Sequence, residues 1–132
     1  MLELPIFFII YILFFCSTIG YGLIFFNLTN IKLSDNNIAF YSLFGLIFLT
    51  FISYFTILFL PHDIYFNLAL HLIGIFFFYK KKKLFSYSNI TAIIIVVIFI
   101  GLIISKNHDD FAFYHLQQSL NFSQNKIQLG MW

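Results

Sequence analysis

Charge is what this sequence has least of. Only 9% of its 132 residues are Asp, Glu, Lys or Arg, whereas a soluble domain carries about 25%. With 61% hydrophobic residues beside that scarcity, the composition excludes a water-soluble globular domain. So short a chain leaves much of its surface outside any core and has too few polar groups to cover it. A single cysteine, Cys16, excludes an internal disulfide. Phe14 and Phe15 before it are not the small residues of a lipoprotein cleavage site, so a buried, inert thiol is the plain reading. The net charge of +2 is too small to point to nucleic acid. Walker-type loops, Rossmann glycines, CxxC pairs and a GxSxG elbow are absent.

What the chain does have is long apolar runs. Crossing about 30 Å of hydrocarbon takes roughly 20 helical residues. Four blocks are candidates: residues 4–26, 38–60, 64–79 and 88–104. Each is apolar on every face, as a span is and a half-buried surface helix is not. Membrane strands would alternate in segments of about ten residues, which these do not. Backbone groups in lipid must pair within their own segment, so the expected fold is all-α. It is read as an integral membrane region of about four transmembrane helices over residues 1–105, then a polar segment over 106–132. Pro61, His62 and Asp63 form a tight connection, making the second and third helices an antiparallel hairpin. Bulky Phe and Ile dominate and small residues look few at the interfaces, so the remaining parts of a larger parent are expected to matter for packing.

Orientation follows from lysine. Lys80, Lys81, Lys82 and Lys83 separate the third and fourth blocks. A lysine at a helix centre costs roughly 2.5–3.5 kcal/mol, and short Lys-rich loops stay in the cytoplasm. Counting spans from that loop places residues 27–37 inside as well. The N-terminus, the 61–63 connection and everything after Ser105 then face outward. Glu3, with no basic residue before the first block, fits an outside N-terminus and not a cleaved signal peptide. The expected location is a bacterial inner membrane, multi-pass.

The polar segment carries the candidate chemistry. Asp109 and Asp110 follow the fourth block directly, with His108 and His115 close by. Residues 110–121 read as a juxtamembrane amphipathic helix. Phe113, Leu116 and Leu120 share one face, and Tyr114, Gln117 and Asn121 the other. The aspartates have two readings. They cap this helix and mark the end of the span. Alternatively, one is a general base within reach of an acceptor hydroxyl, or a ligand with the imidazoles for a divalent metal ion.

The stretch from His108 through Asp109, Asp110, Tyr114, His115 and Leu116 to Asn125 and Lys126 resembles a region of an uncharacterised family of large bacterial polytopic membrane proteins. So does the Pro61-His62-Asp63 hairpin with Asn67, His71 and Gly74. More distantly, it is similar to the GT-C superfamily of membrane glycosyltransferases, which carry an acidic pair in an outer loop after a helix. That resemblance implies inverting transfer of a sugar from a polyprenyl-phosphate donor at the outer face. Asp109 and Asp110 would be catalytic, Tyr114 and Gln117 would contact substrate, and His108 and His115 would orient the acids or hold a metal. GT-C enzymes place the motif after their first helix and have about twice as many spans. The chain is therefore expected to be an N-terminal fragment, inactive alone.

A second reading is a piece of a transporter or flippase, in which His62, Asp63, Asn67 and His71 line a pathway. A third is a small structural membrane protein. Asn67 and His71 lie four apart, and polar groups inside a membrane usually bond across helices. Thr18 and Gly22 form a small-xxx-small pair that permits close helix contact.

Overall fold

The computed structural model describes residues 3–31, 38–81, 89–104 and 115–126. Among these the chain is all-α, in five helices: α1 (Glu3–Thr29), α2 (Ile38–Thr56), α3 (Ile64–Lys81), α4 (Asn89–Ile104) and α5 (His115–Gln124). The ends follow helix chemistry. Glu3 lies in the first turn of α1 and Lys80 and Lys81 in the last turn of α3, each complementing the helix dipole. Asn30 stops α1 by taking a left-handed conformation, φ 56°, which asparagine tolerates better than most residues. Asp63 caps α3, its Oδ1 accepting the Phe66 N–H at 2.8 Å.

The α2–α3 connection is longer than the three residues expected from sequence. α2 ends at Thr56, and the chain turns through residues 57–60 before Pro61. The Thr56 carbonyl accepts from both Phe59 N–H at 3.0 Å and Leu60 N–H at 2.9 Å, which tightens the turn.

α1 is the centre of the bundle. Its second half, Ser17 to Leu23, is buried between α2 and α3. The crossings are built from small residues, contrary to the expectation that the interfaces have few. A Cβ on Gly20 would fall on the carbonyl of Gly74 in α3. One on Gly45 in α2 would fall on the Thr18 carbonyl, and one on Gly22 on the Tyr41 carbonyl. Glycine at these points lets the backbones touch. Short hydrogen bonds then cross the same interfaces. Tyr21 Oη donates to the Leu70 carbonyl at 2.7 Å, and the Thr18 and Ser42 hydroxyls meet at 3.2 Å. Above the crossings Phe25, Phe26, Tyr41 and Phe44 pack ring on ring. Cys16, expected to be buried, is half-buried on α1.

α4 is attached differently. Phe99 is buried against Phe7, Phe8 and Tyr11 of α1, with the Phe8 ring 4.8 Å away edge-on. Tyr11 Oη donates to the Ile95 carbonyl at 3.3 Å. A gap of about 410 Å³ lined by Leu43, Ile94 and Ile98 stays open between α2 and α4.

The outward faces are apolar on every long helix, from Leu4 and Ile10 through Phe51 and Phe76 to Ile104. α1 and α2 are long and apolar enough to cross a membrane. α3 ends in lysines and α4 has 16 residues, so length does not by itself make them spans.

Candidate functional site

The polar side chains of the hairpin do not scatter. They converge beneath the α2–α3 connection on a cavity of about 460 Å³. Its walls are apolar, with Leu49 and Ile57 from the α2 side, Leu70 from α3 and Phe14 from α1. His62, Asn67 and His71 supply most of its polarity, with Thr50 and Ser53 on the α2 wall.

His62 is fixed from three directions. Its N–H donates to the Phe122 carbonyl at 2.8 Å, its ring stacks on Phe66 with centroids 4.6 Å apart, and its Nε2 lies 2.9 Å from Thr56 Oγ1. The Thr56 hydroxyl donates its proton to the Ile52 carbonyl at 2.8 Å. It can therefore only accept from the imidazole, which puts the ring proton on Nε2 and leaves Nδ1 as an acceptor. Burial lowers the pKa of His62 from its ordinary value, which favours this neutral form.

Asn67 and His71 follow on one face of α3, four residues apart. Asn67 Nδ2 donates to the His62 carbonyl at 2.8 Å and so ties the connection to the helix. His71 Nδ1 lies 3.1 Å from Ser17 Oγ on α1, and its ring meets Phe14 edge-on at 5.2 Å. Ser17 is 0% exposed. His71 therefore bonds across helices, as a polar residue within an apolar bundle should.

The connection between α2 and α3 also holds α5. Phe122 lies in the last turn of α5, where carbonyls lack intrahelical partners, and its carbonyl takes the His62 N–H. The Phe122 side chain closes one side of the cavity. Sequence reasoning passed over this residue because its contact is with a segment sixty positions away. The amphipathic pattern gave no signal for it, because Phe122 falls on the side of the helix away from Leu116 and Leu120.

Of the residues singled out from sequence, Asp109, Asp110, Tyr114 and His108 lie outside the described residues. His115 and Gln117 are on α5, both exposed, and neither lines the cavity. Among the described residues no three His, Cys, Asp or Glu side chains stand close enough to hold a metal ion. His62, Asn67 and His71 are brought together, and Asp63 is not with them, being turned to capping α3.

Comparison with protein-family models, with curated proteins and with solved structures finds no match to this chain.

Proposed function

We propose that the chain is the membrane-embedded N-terminal part of a GT-C-like glycosyltransferase. α1 to α4 form its four spans, and the acidic pair Asp109-Asp110 works at the outer surface on a polyprenyl-phosphate-linked sugar. The carrying observation is the bond from His62 N–H to the Phe122 carbonyl. It ties α5, the helix after the acidic pair, to the connection between α2 and α3. That agrees with alternating spans, in which the C-terminal end of α4 and the α2–α3 connection belong to one end of the bundle. Apolar side chains facing outward on α1 to α4 support the same arrangement, because lipid accepts a surface that water would not. Lysines at the end of α3 favour the cytoplasm for the opposite end.

Ser119 is exposed on α5 and tests the placement. In a Cys16→Ser background, Ser119→Cys should react with a membrane-impermeant maleimide on intact cells. Labelling only after lysis would put the acidic pair in the wrong compartment and remove the reading.

A second reading, a transporter or flippase element, is favoured by the convergence of His62, Asn67 and His71 on one cavity. In the full-length parent the enzyme reading requires Asp110→Asn to abolish sugar transfer while His71→Ala spares it. The transport reading requires the greater loss from His71→Ala.

A further inference from the structure

The polar valences left open in the cavity define what it takes. Ser17 Oγ is fully buried and has His71 as its one side-chain partner among the described residues. A buried hydroxyl hydrogen without an acceptor is costly, so Ser17 donates to His71 Nδ1. The ring proton then sits on Nε2, which has no partner among the described residues and is a donor left to the cavity. Asn67 spends its amide N–H₂ on the His62 carbonyl, so its Oδ1 remains as an acceptor. His62 Nδ1 is a second acceptor, as its Nε2 proton goes to Thr56. On the α2 wall, Thr50 Oγ1 donates to the Leu46 carbonyl and keeps its lone pairs, while the Ser53 hydroxyl has no partner among the described residues.

The cavity thus offers donors and acceptors side by side, from α3, the connection and α2, among apolar walls. Among the described residues no Lys, Arg, Asp or Glu lines it. With His62 and His71 neutral, a phosphate or carboxylate placed there would meet no cation among the described residues, and an ammonium no anion. Desolvating either without a counter-charge is strongly unfavourable. A hydroxyl both donates and accepts, and carries no charge.

We propose that this cavity is a binding site for an uncharged lipid alcohol drawn from the bilayer. Its hydroxyl lies between Asn67 Oδ1 and His71 Nε2, and its chain runs along Leu49, Ile57 and Leu70. Phe122 of α5 covers the site from the side of the connection. The volume, about 460 Å³, is in the range of small-molecule sites. The assignment does not depend on the acidic pair or on the reaction proposed above.

The test uses the full chain in nanodiscs of neutral phospholipid with a photoreactive long-chain alcohol. Its phosphate monoester and the corresponding alkane are the comparators. Labelling should fall on peptides containing Leu49 to Ile57 or Leu70, and unlabelled alcohol should compete it away. Asn67→Leu and His71→Leu should each weaken labelling about threefold to tenfold, the range of one neutral hydrogen bond. Ser53→Ala breaks no bond among the described residues and is the variant safe for folding, with a loss of about threefold expected. Thr50→Trp should block the site by filling it. Stronger labelling by the phosphate ester, equal competition by the alkane, or labelling unchanged in both Ser53→Ala and Thr50→Trp would each overturn the proposal.

Discussion

The two halves of α1 differ in composition and are held in opposite ways, and the more apolar half is the more exposed one. From Ser17 to Leu23 the helix is buried, crossing α2 and α3 so closely that glycines on all three helices meet neighbouring backbone. From Leu4 to Phe14 it is mostly exposed, and α4 rests on it through one buried ring, Phe99, and one long hydrogen bond. Hydrophobicity cannot explain the contrast, because the more apolar half is the less buried. Lipid tails are as apolar as leucine, so association in a membrane depends on close packing and on hydrogen bonds. The small and hydroxyl residues Ser17, Thr18, Gly20 and Gly22 provide both. The Phe- and Ile-rich first half provides no such close backbone approach and, among the described residues, only the long Tyr11 bond, and a gap of about 410 Å³ remains open between α2 and α4.

The contrast breaks most visibly at Gly45. Gly45→Leu drives a side chain into the Thr18 carbonyl and should lower stability by at least about 3 kcal/mol, the upper part of the range for overpacking. Gly101 on α4 has nothing within 4 Å of a built Cβ, so Gly101→Leu should move stability by no more than about 0.5 kcal/mol. Unfolding titrations in mixed micelles read both, and equal effects would mean that α4 is packed as tightly as the core.

Phe99→Ala comes next. It removes three ring contacts with α1, worth about 0.5–1.5 kcal/mol each. Spin labels at Ile100→Cys and Phe51→Cys in a Cys16→Ser background should then report a broadened distance distribution. The unfolding midpoint of the α1–α3 core should stay within the error of the measurement. A core that loosens with α4 would show that the two regions are one cooperative unit.

The smallest effect is the pH response of the connection between α2 and α3. Burial lowers the pKa of His62 in the folded chain below its ordinary value of 6.5. The unfolded chain therefore binds the proton first as pH falls. The contribution of His62 to stability is complete above pH 6.5, declines as pH drops below that value, and levels off beneath the folded pKa. His62→Gln should flatten that part of the profile in a pH-dependent unfolding series while leaving the helix crossings unchanged. An unaltered profile would mean that another group sets it.

The helices were legible in the sequence because unbroken apolar runs leave the backbone no partner but itself. The Thr18–Gly22 pair was legible as a contact point, since its spacing places both on one face. Gly20, Gly45 and Gly74 were not, because a glycine marks a crossing only when a second helix arrives there. The polar face of α3 could be seen from the four-residue spacing of Asn67 and His71. That Ser17 would fix the His71 ring, and that Phe122 would close the cavity, could not. Those contacts join residues 54 and 60 positions apart, and no local pattern records such pairings.

By itself, then, the sequence determined that this protein is helical and that its long helices are apolar on every face. Apolar composition and backbone hydrogen bonding suffice for that, residue by residue. Which half of α1 became the core, and which side chains ended in one cavity, was decided by tertiary structure alone. In a chain apolar on every side, the choice among faces rests on how closely two particular backbones can approach.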